Sequence, residues 1–355
     1  MSRRLRVGVV GGGFGVHHIE VYRDLPDLFS VDAFCDIDPA RAEKVGREHG
    51  IGATFTSFEK LLGHDLDLID ICTPSSLHFS QAKAALLAGR HVLLEKPFAA
   101  SLAEADELAE VEASSGRLLC PVFQYRFADG IEQILHLRRR GLAGKAYVAT
   151  IETHWRRGAA YFQAGAWRGR WVTELGGTLV THAIHNHDLL THIIGPVRSV
   201  FARTATRVNP VETDDCAAAV LEMADGSLAT LSVTLGTEED MSRLRFCFEG
   251  VTAESNHSPY NPGMAPWRFI AADPERQKAV DAALAEVEPQ PQRYHRQFPL
   301  LHKAITEGAA LPVSIASARP SLELLTAAYH SARTGQAVTL PIGSDHPLYG
   351  GWLPA

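Results

Sequence analysis

Lys96 stands between Glu95 and Pro97 at the end of the apolar run His91 to Leu94, and a glycine-rich turn, Gly11-Gly12-Gly13-Phe14-Gly15, precedes it by about eighty residues. The turn joins a strand to a helix start, where glycine lets the backbone approach a pyrophosphate and the free N–H groups and helix dipole favour its charge. A lysine at the carboxyl end of a later strand of the same sheet adds an amine where a nicotinamide would lie. A residue before proline favours extended geometry, which aims Lys96 out from the strand end. The pair of features points to hydride-transfer chemistry.

The elements that would position these groups are legible as pattern. Short apolar runs, Leu5 to Val10, Val31 to Cys35, Leu68 to Cys72, Val92 to Glu95 and Leu118 to Val122, alternate with helical spacings over Pro39 to His49, Leu77 to Ala88 and Leu102 to Ser114. That alternation predicts a doubly wound parallel sheet, an α/β Rossmann domain over residues 1–122. From Gly144 the strands lengthen and the regular helices disappear: Ala146 to Glu152, Ser199 to Thr206, Cys216 to Met223, Leu228 to Leu235 and Arg243 to Glu249. Asp225-Gly226 reads as a hairpin turn between two of them. Residues 123–355 are therefore expected to form an α+β domain on a mostly antiparallel sheet, with a C-terminal helix returning to the first domain. One helix is predicted over Thr178 to Ile194, burying Leu179, Ala183, Leu190 and Ile194. The Pro-rich, polar stretch Asn256 to Gln292 is expected to be a mobile surface excursion holding a short helix near Ala279 to Glu286.

Around the turn, Gly11 permits the tight bend and Gly13 the close approach, with Phe14, Gly15 and Val16 opening the helix. The third glycine of G-x-G-x-x-G would fall on Val16, but this chain places it at Gly15. Asp36 ends the second strand, where a carboxylate accepts hydrogen bonds from the adenine ribose and repels a 2′-phosphate. Ile37 and Arg41 follow it. Arg41 could neutralise a phosphate but is more simply a solvated helix residue, so NAD is favoured over NADP.

Several stretches together resemble the glucose-fructose oxidoreductase and inositol dehydrogenase (Gfo/Idh/MocA) family. They are the glycine turn with His18, Cys72-Thr73-Pro74-Ser75-Ser76-Leu77-His78, Ala88-Gly89-Arg90-His91-Val92-Leu93-Leu94-Glu95-Lys96-Pro97, Trp167-Arg168-Gly169, Gly176-Gly177 with His185 and Asp188, and Tyr329 to Gly335. The resemblance implies a Rossmann domain followed by an open, largely antiparallel sheet, pairing through the outer sheet face into a homodimer or homotetramer. It implies NAD-dependent oxidation or reduction at a hydroxyl of a sugar, inositol or glycoside. It gives Lys96 the reacting oxygen, often beside a cis proline, and His185 the proton. The chemistry agrees, because hydride loss from a carbinol requires a base at its hydroxyl and an imidazole titrates near neutral pH.

The family's usual acid four residues before this histidine is replaced by Thr181, which shares a helical face with His185 and can hold a hydroxyl or a water. Asp188 is a candidate to orient the ring or else an interface carboxylate. His182 is a second substrate contact. Thr73, Pro74, His78, Glu95, Gln124, Trp167 and Arg168 are expected at the cofactor; Arg126, Trp155, Tyr161 and Arg168 are expected at the substrate, the aromatics stacking on a sugar ring. His182 and His185 could share an ion, but His187 points elsewhere, and the histidines are read as water- or substrate-facing with no metal. Two other enzyme and non-enzyme outcomes fit the same resemblance: a glycosidase that oxidises its sugar transiently, and a dinucleotide-binding regulator without turnover.

Composition excludes other classes. The 355-residue chain carries a formal charge of -7, which argues against binding nucleic acid or anionic membranes. Its five cysteines are scattered without CxxC spacing, as in a cytoplasmic protein with reduced thiols. Arg3, Arg4 and Arg6 before the first apolar run imitate a leader, but no small-residue cleavage site follows.

Overall fold

The computed structural model describes residues 3–354 and divides into two compact units. The first runs to Val122 and takes in Tyr294–Arg319; the second holds Phe123–Arg293 and the chain from Pro320 onward.

The first unit is built on six parallel strands: β1 (Leu5–Val10), β2 (Phe29–Cys35), β3 (Ala53–Phe55), β4 (Leu68–Ile71), β5 (His91–Leu94) and β6 (Leu119–Pro121). They are ordered β3-β2-β1-β4-β5-β6, the doubly wound order whose reversal falls at β1. β4, β5 and β6 are buried along their whole length, as strands covered on both faces must be, which explains their unbroken apolar runs. Helices α1 (Gly15–Arg23), α2 (Pro39–His49), α3 (Phe58–Leu62), α4 (His78–Leu87) and α5 (Leu102–Ser115) connect them. Asp38 caps α2 ahead of Pro39, accepting from the Ala40 and Arg41 N–H groups. The helix Tyr294–Glu307 completes this unit: Gln297 donates to the Pro121 carbonyl at 2.8 Å, and Phe298 packs on Tyr22 with ring centroids 4.8 Å apart.

The second unit carries an eight-stranded sheet: β7 (Ala146–Arg156), β8 (Val197–Ala205), β9 (Cys216–Met223), β10 (Leu228–Thr234), β11 (Gly236–Phe248), β12 (Thr252–Glu254), β13 (Arg268–Ile270) and β14 (Val338–Thr339). Their order is β13-β12-β11-β7-β10-β9-β8-β14, antiparallel throughout except for the β7–β10 pair. β9 and β10 form the hairpin expected at Asp225-Gly226. Alternation along the strands buries one face, including Ala149, Ile151, Leu221, Leu231 and Leu244. The opposite face leaves Val148, Phe201, Val220 and Leu228 exposed, with Leu228 opposite Val148 and Phe201 opposite Val220 in register.

Three expectations change. The helix over Thr178 to Ile194 is two helices, Thr178–Thr181 and Ile184–Ile193, separated at His182-Ala183. The strand predicted over Ala146 to Glu152 continues to Arg156, so that Trp155 lies on β7. The stretch Asn256 to Gln292 is built into the unit: Trp267 is buried against Gly130, where an added Cβ would collide with the indole, and Val280 and Ala283 anchor the helix Pro274–Leu284. A few apolar residues dispersed in a polar stretch suffice to fix it.

Candidate active site

In the first unit the glycine turn sits at the carboxyl end of β1. Gly11 adopts φ +98°, and a side chain there would strike the Cys72 carbonyl at 2.6 Å. A Cβ on Gly13 would meet only open space, so this is where a ligand can come close. One on Gly15 would press within 2.9 Å of the Val9 side chain. Gly15 thus performs the close helix–strand packing of the third glycine, and Val16 needs no such role. Asp36 is buried, its carboxylate accepting from the Gly12 N–H at 2.7 Å and the Asp38 N–H at 2.9 Å, with Arg41 at 3.4 Å. Ile37 beside it is 89% exposed, a flat apolar edge at the rim, and Phe14 is also exposed. The open approach at Gly13 and the carboxylate at the end of β2 fit NAD: Gly11 to Val16 would hold the pyrophosphate and Asp36 the ribose.

β1, β4 and β5 are neighbours, so Lys96 at the end of β5 stands two strand spacings, roughly 10 Å, across the same sheet edge from the turn. Its peptide to Pro97 is cis, and its N–H donates to the Glu95 carboxylate at 3.0 Å. The buried His78 ring spans the Pro97 and Thr73 carbonyls at 2.7 and 2.8 Å, bracing the lysine segment against the Thr73-Pro74 loop, while the Thr73 hydroxyl donates to Gln81. Burial lowers the pKa of His78.

In the second unit the helix Ile184–Ile193 is buried on nearly every side, polar residues included. His185 stacks on Tyr125, and Phe123 meets the same ring edge-on. Asn186 pins the helix to the sheet through Thr153 at 2.8 Å and Ser242 at 3.3 Å. Asp188 is not turned to His185: both of its oxygens are taken by Arg126, at 2.7 and 2.6 Å, and one also accepts from Ser321 at 2.8 Å. Arg126, expected at the substrate, is accordingly buried in this bidentate pair. The Thr181 hydroxyl donates to the Gly177 carbonyl at 2.9 Å and contacts His182 Nδ1 at 2.6 Å. His187 is buried with neither ring nitrogen hydrogen-bonded among the described residues, and it lines a small apolar void with Leu179, Leu231 and Leu325.

Beside His182 lies an aromatic wall. Trp155 meets His182 edge-on at 5.5 Å and Tyr260 at 4.8 Å, while Tyr161 lies 5.5 Å from His182. Arg168 is sandwiched by Tyr161 and Trp167, its guanidinium 4.1 and 4.4 Å from the ring centroids, and donates to the Tyr161 hydroxyl. Gln124 is buried in the turn that follows Phe123. Sequence reasoning missed Tyr125, Ser242, Tyr260 and Asp214. Asp214 accepts from Gly177 N–H, Leu179 N–H and the Tyr329 hydroxyl, fixing the start of Thr178–Thr181. The Gly176-Gly177 pair was the available signal, since a Cβ at Gly177 would overlap the Asp214 carbonyl.

Residues 5–123 match the family described as an oxidoreductase family with an NAD-binding Rossmann fold, and residues 131–254 match the C-terminal domain of the same family, together more than half of the chain. The chain belongs to the Gfo/Idh/MocA oxidoreductases. Among Gfo/Idh/MocA relatives, D-glucoside 3-dehydrogenase of Escherichia coli is 25% identical, over 96% of this chain and 98% of its own. An uncharacterized oxidoreductase of Synechocystis sp. is 28% identical over 66% of each chain. The WlbA dehydrogenase of Bordetella pertussis, solved with NADH and UDP-GlcNAcA, superposes with a TM-score of 0.85 at 26% identity, covering 96% of this chain and 100% of that one. The Gfo/Idh/MocA chain described here is accordingly an NAD-binding oxidoreductase. Among the described residues no helix is long and apolar enough to cross a membrane.

Proposed function

We propose that this enzyme moves a hydride between NAD and a secondary hydroxyl or ketone of a sugar, polyol or glycoside. The carrying observation is Lys96 at the carboxyl edge of β5, on the same sheet edge as the glycine turn and two strands away from it. Bound NAD would supply the hydride acceptor. Lys96 holds and polarises the reacting oxygen; His185 takes the hydroxyl proton as the C–H bond is broken and returns it in reduction. Trp155, Tyr161 and Tyr260 offer ring faces suited to the apolar side of a sugar. The dehydrogenase relatives, one named for a glucoside and one solved with a nucleotide sugar, support this class. The exposed strip of Val148, Phe201, Val220 and Leu228 supports pairing of copies through the outer sheet face.

The test is a panel of polyols, aldoses, glycosides and nucleotide sugars monitored for NADH formation with the native protein, Lys96→Ala and His185→Ala. Both variants should keep dinucleotide affinity within a few fold and lose turnover, by about 10² or more for the histidine. Unchanged rates in either would remove that residue from the mechanism. Aglycone release without NADH would assign the chain to transient-oxidation glycoside cleavage instead.

A further inference from the structure

Next to the aromatic wall, within the second unit, lies a cleft that the proposed hydride transfer does not use. Its volume is about 580 Å³, within the range of small-molecule sites. One side carries Phe162, Arg168 and Arg170, the other Pro210, Val211 and Glu212. The two sides are fixed to each other. Gly169 adopts φ +71°, a Cβ there would come within 2.7 Å of Val211, and the Gly169 carbonyl accepts the Glu212 N–H at 2.9 Å. Trp171 Nε1 donates to the Glu212 carbonyl at 2.9 Å.

The cleft is distinguished by its charge. Arg168 is held between Tyr161 and Trp167 and donates through one nitrogen to the Tyr161 hydroxyl. Among the described residues no carboxylate lies within ion-pair distance of it, and the exposed Arg170 side chain has neither an ion pair nor a hydrogen bond. Arg157 shows the contrast: its guanidinium also lies against Tyr161, at 5.5 Å, but Asp240 pairs with it at 3.3 Å and the Tyr260 hydroxyl accepts from it at 2.5 Å. Glu212 is the carboxylate of the lining, and one of its oxygens accepts the Trp171 N–H at 3.2 Å. Two guanidiniums against one carboxylate leave this cleft positive on a chain whose formal charge is -7. A generally basic surface is therefore not the reason for it.

We propose that this cleft is a second substrate subsite, which takes a carboxylate- or phosphate-bearing group attached to the sugar and holds its charge on Arg168 and Arg170. The inference rests on the reading that a sugar is oxidised or reduced against the wall of Trp155, Tyr161 and Tyr260. Tyr161 connects the two places: its ring lies 5.5 Å from His182 and 4.1 Å from the Arg168 guanidinium, and Phe162, edge-on to it at 5.1 Å, lines the cleft. A sugar stacked on the wall reaches the cleft through whatever is joined to it. Phe162, Pro210 and Val211 suit a flat or apolar body beside the anion. Arg168, already held between two rings, loses little further freedom when its planar fork meets an oxyanion.

The protein loaded with saturating NADH, which fills the dinucleotide site, would be titrated calorimetrically with phenyl β-D-glucopyranoside, 4-carboxyphenyl β-D-glucopyranoside and UDP-glucose. The first is neutral, the second adds a carboxylate and the third a diphosphate. At least one anionic probe should bind roughly tenfold or more tightly than the neutral one, and more weakly as salt is raised. Arg168→Gln and Arg170→Gln should each remove most of that preference and leave the neutral probe within about twofold. Because the Arg170 side chain is exposed and unpaired, its loss of anion preference cannot come from a folding defect. A stronger response to 4-carboxyphenyl glucoside assigns a carboxylate, and a stronger response to UDP-glucose a phosphate. Equal affinity for all three probes, or an anion preference that survives either substitution, overturns the inference. If the anionic probes bind as expected but no sugar of any charge yields NADH from NAD, the hydride-transfer reading falls and the anion site stands.

Discussion

The imidazole of His185 lies face to face with the phenol ring of Tyr125, centroids 4.5 Å apart and planes 21° from parallel. Burial pushes the Tyr125 hydroxyl's pKa up, so the ring stays neutral at any working pH and serves as a flat support. Tyr125→Ala removes that support, and kcat should fall about tenfold while NAD affinity, read by fluorescence titration, holds. Tyr125→Phe should retain most activity; equal losses in both would mean that the hydroxyl, not the ring face, is what matters.

Asp188 and Arg126 form a buried pair with two parallel hydrogen bonds. Asp188→Ala strands the guanidinium in the interior, and urea unfolding should show a loss of about 3–5 kcal/mol. A loss below about 1 kcal/mol would place the pair in solvent-like surroundings.

Asp36→Ala should weaken NAD binding by roughly 10- to 100-fold, the worth of two hydrogen bonds to the ribose, and raise the relative affinity for NADP. Isothermal titration with both dinucleotides decides it. Retained NAD selectivity would move discrimination elsewhere in the pocket.

Burial holds the pKa of His187 at about 3 and that of His192 at about 4, and His91, with Arg117 adding to burial, also at about 4. The unfolded chain takes up these protons near pH 6.5, while the folded state refuses them until much lower pH. Stability is therefore whole above pH 6.5 and is lost as pH falls toward 4, by about 1.4 kcal/mol per pH unit for each histidine. His187→Leu suits the apolar void and should move the midpoint of acid unfolding to lower pH. An unmoved midpoint would show that His187 gains a partner on acidification.

Much of the first unit was legible because its signals are local. A parallel strand covered on both faces reads as a continuous apolar run, and the glycine turn, Asp36 and Glu95-Lys96-Pro97 announce themselves by short spacing. β3 escaped because Ala53-Thr54-Phe55 is three residues on an edge and only partly buried. The second unit hid more, because its site is assembled from distant pieces. Tyr125 reaches His185 across sixty residues, and the Asp188 partner Ser321 lies farther still; no periodicity encodes such pairs. The helix break at His182-Ala183 was invisible because both halves carry good apolar spacing, and what marks it, the Ala183 N–H reaching back five residues to the Thr178 carbonyl, is a backbone feature without a sequence signal.

The nucleotide-binding unit is discontinuous, borrowing Tyr294–Arg319 from far along the chain. Phe298 covers Tyr22, His302 meets the Arg3 carbonyl at 2.8 Å, and Arg319 pairs with Asp106 at 2.7 Å. During synthesis the amino-terminal part of this unit therefore emerges from the ribosome without its own last wall, and must wait for nearly all of these 355 residues before its core is sealed. Expression of a fragment ending at Val122 would yield an aggregation-prone half-barrier of exposed aromatics, whereas a circular permutant that brings these segments together in sequence would let the same unit mature early.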